Sequence, residues 1–377
     1  EKKIIMLYFK FFLYHIVIYI LIFINSAFSD TQKCSYSKNI CNKLDKVVGI
    51  KTPMMVASGT IINDEIIVTN RHVVENHKQF IIKFNNGKIK KAFPLPHNFP
   101  ADLALLSLKK EYKKINKLPN LNNIKGKIRV IAYDQGRNGN RIYKSGKIIS
   151  VSDFVQYPQA RIHTNAKSLP GNSGGSVVDE NGQLIGILAS GDGNINEVIP
   201  VSLINKIIQN TNFKHKDKFF KVGNYIKLCA DNLETAFDVQ KNLDIKIMKN
   251  IDNYCWKSNN KQLIDQAGQT FGRLGDLKRA QKFLERSIKL DPASPNSLLS
   301  LAITYHISRN LEKERPIILK LLQLTPENPQ VLRLGVQVAG ILKDKKMSDE
   351  VLTLMTKYNK EALPLAQKFI DNAFKAN

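Results

Sequence analysis

Between residues 47 and 201 the apolar positions form short runs that alternate with turn-forming residues. The runs are rich in β-branched side chains, and Gly, Asn, Asp or Pro interrupts them about every ten residues. Asn85-Asn86-Gly87 and Asp179-Glu180-Asn181-Gly182 suit hairpin reversals, because Asn and Gly tolerate positive φ. This pattern predicts an all-β barrel or sandwich. The main runs are 61–62, 66–68, 80–84, 103–108, 128–132 and 184–188.

From about residue 214 onwards the apolar positions recur with a period near 3.6, and Gly and Pro become sparse inside the segments. The period predicts helices throughout this part of the chain. The change of period places a domain boundary between residues 212 and 221. Residues 225–256 are predicted to form a helical hairpin that connects the two regions, and the sequence assigns this hairpin no role.

An internal repeat follows, since Leu290-Asp291-Pro292 recurs as Leu324-Thr325-Pro326. Leu277 and Leu311 hold the same register. The interval is that of the tetratricopeptide repeat, and a helix-turn-helix unit that ends near a proline resembles this family. We count two good copies and one degenerate copy between residues 261 and 359, with a capping helix from residue 361 to the end. The alternative is an unrelated helical bundle in which the recurrence of the Leu-x-Pro motif is a coincidence.

The N-terminal residues combine a basic start with an apolar core. Lys2-Lys3 precede an apolar core of about 14 residues, and Ala27 and Ser29 place small side chains before a cut after residue 29. The segment 1–29 is therefore predicted to be a signal peptide for export to the periplasm or the medium. The alternative is an uncleaved membrane anchor at 7–28, a run that approaches the roughly 20 residues needed to span a bilayer. Residues 30–42 form the predicted mature N-terminal segment.

Four cysteines follow this segment, an even number that suits disulfides in an exported protein. Sequence order predicts that Cys34 pairs with Cys41, which closes a short loop, and that Cys229 pairs with Cys255, which joins two predicted helices. Four unpaired thiols are the alternative. No cysteine spacing suggests a zinc site, and no metal or cofactor is expected.

The formal net charge of +25 raises the question of a nucleic-acid partner. The positive residues are mostly lysines spread over the whole chain, and they form no stripe of arginine and aromatic residues aimed at phosphates and bases. The charge is therefore interpreted as a general compositional bias. No nucleic-acid partner is expected, and a membrane contact is expected only if the N-terminal segment stays uncleaved.

The run Pro170-Gly171-Asn172-Ser173-Gly174-Gly175 carries the candidate nucleophile, Ser173. Its small residues allow a tight turn in which the amide groups of Gly171 and Ser173 can point together at a developing oxyanion. A serine hydroxyl alone is a weak nucleophile. A base, and a group that orients the base, must therefore lie nearby.

A histidine and an aspartate upstream have suitable positions. His72 follows a predicted strand in Thr69-Asn70-Arg71-His72-Val73-Val74, and Asp102 precedes an apolar run in Ala101-Asp102-Leu103-Ala104-Leu105-Leu106. His72 is the candidate base, and Asp102 is the candidate orienting residue. The chain order His, Asp, Ser is that of chymotrypsin-type proteases. His77 and His97 lack this strand-to-helix setting and are interpreted as bystanders.

These motifs, with segments 162–175, 182–187 and 196–201, resemble the Deg/HtrA branch of trypsin-like serine proteases, and the resemblance extends from about position 43 to position 208. The resemblance implies two β-barrels with the triad of His72, Asp102 and Ser173 between them. It also implies that Lys167, which precedes the nucleophile in the same segment, lines the pocket for the side chain that precedes the cut. A buried ammonium there would select acidic side chains, whereas a lysine directed outward would leave an apolar slot.

The strand edge at Ala189, Ser190 and Gly191 is expected to pair with the substrate backbone. Deg/HtrA proteins usually continue into PDZ domains, and none is visible in this sequence. The predicted fold class is multidomain: an all-β double-barrel trypsin-like protease domain followed by an all-α tetratricopeptide-like repeat domain. The predicted bounds are 43–212 for the protease domain, 213–260 for a helical connector and 261–377 for the repeats.

Two functions are compatible with the sequence. The first is an exported serine endopeptidase that cleaves proteins or peptides through an acyl-enzyme, with helical repeats that bind a substrate or a partner protein. The second is a scaffold whose repeats do the binding and whose protease fold is catalytically dormant. The complete set of triad residues favours the first.

Overall fold

The computed structural model describes residues 34–53, 55–110, 115–119, 126–191, 194–239 and 243–375 of the 377-residue chain. The predicted signal peptide or anchor lies outside the described residues. The chain up to Cys41 is a unit of its own, whose described part contains helix α1 (Lys38–Cys41) and the predicted disulfide between Cys34 and Cys41. No helix in the described ranges is both long and apolar enough to cross a membrane.

The first β-barrel is built from short antiparallel strands, as the spacing of the apolar runs predicted. The side chains of Val48, Ile50, Ile67, Ile82 and Leu106 fill its interior. The single helical turn α2 (Arg71–Val74) leaves the barrel after its third strand. The strands are β1 (Val47–Lys51), β2 (Val56–Ile61), β3 (Ile66–Thr69), β4 (Phe80–Phe84), β5 (Ile89–Leu95) and β6 (Ala104–Ser107), closed in the order β1-β2-β3-β6-β5-β4.

The second barrel closes because the first strand in the order of its sheet also pairs with the next-to-last strand. Its strands are β7 (Lys127–Asp134), β8 (Gly139–Ile142), β9 (Gly146–Val151), β10 (Ile162–Thr164), β11 (Ser176–Asp179), β12 (Leu184–Gly191) and β13 (Asn196–Pro200). The order is β11-β12-β13-β10-β9-β7-β8, and β11 also pairs with β7. Helix α3 (Val201–Asn210) follows and packs Leu203, Ile204 and Ile207 against side chains of both barrels. The predicted double barrel is confirmed.

The described chain beyond α3 is helical, as predicted. Helices α4 (Lys216–Asp238) and α5 (Ile245–Ser258) form the predicted connecting hairpin, and the predicted disulfide between Cys229 and Cys255 joins them. Residues 261–358 then form three helix pairs, and α12 (Leu363–Lys375) follows them. The pairs are α6 (Lys261–Arg273) with α7 (Leu277–Leu290), α8 (Pro295–Ile307) with α9 (Leu311–Leu324), and α10 (Pro329–Ile341) with α11 (Lys345–Tyr358).

The helix pairs repeat with the interval that the sequence predicted. The first helices begin at Lys261, Pro295 and Pro329, so their starts are evenly spaced along the chain. The residue before each start caps the helix, because the side chain of Asn260, Ser294 or Asn328 accepts a backbone N–H of the first turn. The equivalent positions of the three pairs can therefore be compared directly.

Candidate active site

The candidate base and the candidate orienting residue are in direct contact. Nδ1 of His72 lies 2.8 Å from Oδ2 of Asp102, and the backbone N–H of His72 donates to Oδ1 at 3.0 Å. The buried side chain of Asn70 donates to the carbonyl of Asp102 at 3.1 Å, and so ties the end of β3 to the segment before β6. The Asp102 side chain is buried, whereas 14% of the His72 side chain is exposed.

The electrostatic surroundings keep Asp102 ionised. Burial acts to raise the pKa of its carboxyl group, but the charge and hydrogen bonds of His72 and the guanidinium of Arg161 outweigh burial and hold the pKa below its ordinary value. Nη2 of Arg161 lies 3.7 Å from Oδ2 of Asp102. Because a carboxylate accepts but does not donate, Nδ1 of His72 carries the proton and Nε2 can accept one.

The loop of Ser173 is fixed to both barrels by hydrogen bonds. The carbonyl of Ser173 accepts from the backbone N–H of Ser58 in β2 at 2.8 Å, and the side chain of Asn172 donates to the carbonyl of Tyr133 in β7 at 3.0 Å. The Ser173 hydroxyl donates to the carbonyl of Ala189 at 2.9 Å. His72 is therefore hydrogen-bonded to Asp102, whereas the hydroxyl of Ser173 is hydrogen-bonded to β12 and not to His72.

Two amide groups of this loop are unused. The N–H groups of Asn172, Gly174 and Gly175 donate to backbone carbonyls, whereas those of Gly171 and Ser173 donate to no other described residue. Gly171 and Gly174 have φ of +86° and +89°, and a Cβ at Gly174 would lie 2.0 Å from the carbonyl oxygen of Ser58. The glycines are required for this turn, and the turn leaves the donors that an oxyanion hole needs.

The strand edge predicted to pair with substrate is open on one side. β12 pairs with β13 as far as Gly191, whereas its pairing with β11 ends at Ile187. Among the described residues, 189–191 thus have no strand partner on this side, and the edge begins at the carbonyl of Ala189 that accepts from the hydroxyl of Ser173. The hydroxyl of Ser190 donates to Oε2 of Glu197 at 2.9 Å.

Of the two alternatives for Lys167 in the predicted specificity pocket, the structure contradicts the buried ammonium. The residue is exposed, so it does not supply a buried ammonium. The buried Asn196, which sequence reasoning missed, donates to the carbonyl of Ala166 at 2.6 Å and accepts from the hydroxyl of Ser168 at 2.8 Å. The available signal was a pair of polar residues, Asn196 and Glu197, at the start of a strand that is otherwise apolar.

His77 and His97, which the sequence analysis interpreted as bystanders, lie apart from this chemistry. His97 is buried with Nε2 3.0 Å from the carbonyl oxygen of Leu103, and burial first, then the charge of Arg71, lowers its pKa to about 3. His97 is therefore neutral and holds the chain just after Asp102. His77 lies 3.5 Å from Glu75, and burial lowers its pKa.

The helical region reaches the candidate site at two points that sequence reasoning missed. Arg71 donates to the carbonyl of Phe219 in α4 at 2.6 Å, and its guanidinium lies 3.8 Å from the centre of the Phe219 ring. Nδ2 of Asn260, the cap of α6, donates to Oδ1 of Asp102 at 2.7 Å. Neither residue of the helical region belongs to a protease motif, and the only signal was that Lys261 stands where the later pairs have proline.

Comparisons with known proteins place the barrels among peptidases. Residues 57–187 match the model of the trypsin-like peptidase domain. The chain is 31% identical over 173 residues to the serine protease Do-like HtrA of Lactobacillus helveticus, covering 43% of this chain and 40% of that protein. It is 26% identical over 170 residues to the serine endoprotease DegS of Haemophilus influenzae, covering 41% and 49%.

A probable serine protease do-like from Buchnera aphidicola is 28% identical over 192 residues, covering 45% of this chain and 37% of that protein. The chain thus spans less than half the length of these curated relatives. A solved structure of the serine endoprotease from Yersinia pestis aligns with a TM-score of 0.37 at 24% identity, covering 48% of this chain and 65% of that chain.

Proposed function

Because residues 57–187 are a trypsin-like peptidase domain whose relatives carry Deg/HtrA names, we propose that the protein is a serine endopeptidase with His72, Asp102 and Ser173 as its triad. The observation that carries the proposal is the contact of His72 with the buried Asp102, together with a nucleophile loop in which the amides of Gly171 and Ser173 donate to no other described residue. The relatives' names and this geometry disfavour the dormant scaffold.

In the proposed reaction, substrate binding moves the hydroxyl of Ser173 from the carbonyl of Ala189 to Nε2 of His72. Catalytic hydrogen bonds often form only in the substrate complex. Nε2 takes the proton as Oγ bonds to the carbonyl carbon, and the amides of Gly171 and Ser173 stabilise the oxyanion. His72 then returns the proton to the leaving amine, which leaves an acyl-enzyme. Water hydrolyses the acyl-enzyme with His72 again as base.

Substrate is proposed to bind as an added strand along the free edge of 189–191, with the segment before the cut on this edge. The outward position of Lys167 favours an apolar side chain immediately before the cut. Export is proposed from the N-terminal sequence, and it agrees with the two disulfides and with relatives named periplasmic, such as that of Buchnera aphidicola.

The helical array is proposed to bind a more distant segment of the same substrate. A groove of about 500 Å³ runs between α6, α8 and α10 and carries apolar side chains such as Leu299, Ile303 and Ile307. Its lining shares Gln269 and Asn296 with a smaller cavity of about 100 Å³, which reaches Ser190 and Gly191 at the strand edge. We therefore expect a peptide that leaves the edge to pass along the smaller cavity toward the groove.

Labelling of the nucleophile tests the proposal. The mature protein should react with a fluorophosphonate at Ser173, as mapped by mass spectrometry, and Ser173→Ala should remove both the label and the cleavage of unfolded casein. The expected loss of turnover is about 10⁴-fold or more, by comparison with triad deletions in subtilisin. Ser308→Ala, a change in the helical region, is the matched control. A folded wild-type protein that takes up no label would favour the scaffold instead.

A further inference from the structure

We propose that Asn260, from the turn that leads into α6, is a positioning residue of the triad, so that the helical region completes the active site. The inference rests on the proposed function. It assigns a role in catalysis to a residue outside the peptidase domain. The group through which Asn260 acts is the carboxylate of Asp102.

The hydrogen bonds of Asp102 give each of its oxygens a distinct task. Oδ2 lies 2.8 Å from Nδ1 of His72, so it holds the imidazole ring. Oδ1 accepts from the backbone N–H of His72 at 3.0 Å and from Nδ2 of Asn260 at 2.7 Å. Asn260 thus holds the oxygen that does not face the imidazole, and so fixes the rotation of the carboxylate plane. Both side chains are buried, so bulk water does not compete for this contact.

The amide of Asn260 is itself fixed at both ends. Its Oδ1 accepts from the backbone N–H of Leu263 as the cap of α6, and this leaves Nδ2 as the end that faces Asp102. The next residue, Lys261, is buried, pairs through Nζ with Glu197 and donates its backbone N–H to Oε1 of Gln159 at 3.1 Å. The turn is therefore anchored to the peptidase domain beside the donor.

Loss of this donor should affect catalysis more than binding. Asp102 must keep its orientation while His72 becomes an imidazolium in the transition state. Without Asn260, Oδ1 retains only the backbone N–H of His72 as a donor among the described contacts, and the carboxylate can rotate. A hydrogen bond to a buried charged group is strong enough that its loss should slow the step in which Ser173 reacts by about 10-fold to 100-fold.

Helix capping alone cannot produce this effect, and the repeat supplies the control. Asn328 is equivalent to Asn260 in the third helix pair and caps α10 by accepting the N–H groups of Gln330 and Val331. Asn260→Ala and Asn328→Ala each remove one asparagine cap. Only Asn260→Ala removes a donor to Asp102.

The experiment measures the inactivation of full-length variants by a fluorophosphonate, with the rate constant kinact separated from the binding constant KI. Asn260→Ala should lower kinact by about 10-fold to 100-fold at unchanged KI, and Asn328→Ala should leave both at the wild-type value. The downfield proton resonance of Nδ1–H in His72 should shift or broaden in Asn260→Ala only. A folded Asn260→Ala with wild-type kinact and an unchanged resonance overturns the inference.

Two further outcomes, a misfolded Asn260→Ala and an unreactive wild type, are also informative. If Asn260→Ala does not fold, Asn260→Gly decides, because glycine is accepted at the helix cap but has no side-chain N–H to donate. A folded Asn260→Gly with reduced kinact supports the inference, and one with wild-type kinact overturns it. Wild-type protein that is folded but unreactive contradicts the proposed function, whereas reactive wild type with unaffected Asn260 variants contradicts only this inference.

Discussion

The turns that lead into α6 and α10 are equivalent positions of the helical array, but they lie in different surroundings. Each has an asparagine cap, Asn260 or Asn328. The first helical residue of α10 is Pro329, an ordinary choice because proline suits this position, and it is exposed. In α6 the same position is Lys261, whose side chain is fully buried against Glu197.

The turn into α8 lies between these two turns in the chain, and it too forms hydrogen bonds with the peptidase domain. Asp291 accepts from Nε2 of His163 at 2.8 Å and from the backbone N–H of Arg161 at 3.1 Å, and the carbonyl of Ala293 accepts from the hydroxyl of Ser150 at 2.7 Å. Hydrogen bonds of the helical region to the peptidase domain are made by Phe219, Asn260, Lys261, Asp291 and Ala293. These contacts thus come from α4 and from the turns that lead into α6 and α8, in the first part of the helical region.

The largest expected effect comes from breaking the buried pair of α6. Lys261→Ala leaves the carboxylate of Glu197 buried without its cation, and such a change costs about 3–5 kcal/mol of the free energy of unfolding. The charge of Lys261 opposes the effect of burial on Glu197 and holds the pKa of Glu197 well below its ordinary value. Urea denaturation at pH 7 measures the loss.

Lys345→Ala in α11 is the control for Lys261→Ala, because Lys345 is also the first residue of its helix. Its side chain is 76% exposed and pairs with Asp349 in the next turn of the helix. The expected cost is below about 0.5 kcal/mol. Equal losses in the two variants would mean that the interface of α6 is hydrated and weak.

A smaller effect, dependent on pH, is expected at the turn into α8. Burial acts to raise the pKa of Asp291, but the charge and hydrogen bond of His163 and the charge of Lys261 prevail and lower it. Because the pKa is lower in the folded state, the stabilisation is full above the ordinary carboxyl pKa of about 4 and disappears as pH falls through the lowered value. Asp291→Asn should cost about 2 kcal/mol at pH 7 and flatten the loss of stability between pH 5 and pH 3.

Thr325→Ala is the matched control for Asp291→Asn, since Thr325 occupies the equivalent position in the next copy of the repeat. Thr325 donates to the carbonyl of Leu321 within its own helix pair, so its loss should cost about 1 kcal/mol without a change in the pH profile. Denaturant unfolding at pH 7, 5 and 3 compares the two variants. A pH profile of Asp291→Asn that coincides with wild type would show that His163 and Asp291 do not form an ion pair in solution.

The two barrels, the interval of the helix pairs and the contact between His72 and Asp102 could be predicted from local patterns and motifs. Alternating apolar runs specify the strands, and the glycines around Ser173 specify its turn through backbone conformation. The sequence order of the cysteines was also sufficient to predict both disulfides. The strands and the helix pairs in particular follow patterns that recur over short stretches of the chain.

The interface between barrels and helices could not be predicted in this way. Local patterns describe Asn260 as a helix cap and Arg161 and Lys261 as surface residues, because polar side chains are usually exposed. Their burial depends on partners far away in the chain, such as Asp102 for Asn260. The exposure of Lys167 was also open, because the sequence alone allowed either a buried or an exposed ammonium.

The smallest expected effect tests whether the groove of the array serves the active site. Ile307 lines the groove with 59% of its surface exposed, and Ile341, its equivalent at the end of α10, is 54% exposed but does not line it. Ile307→Asp should lower kcat/KM for unfolded casein by about tenfold, a loss of about 1.4 kcal/mol, because a charge replaces an apolar contact with the bound segment. Inactivation by the small fluorophosphonate should be unchanged, and Ile341→Asp should leave both rates at wild-type values.

Equal effects of Ile307→Asp on casein cleavage and on inactivation by the small probe would mean that the change disturbs Ser173 itself. No effect on either rate would mean that the groove does not bind the substrate.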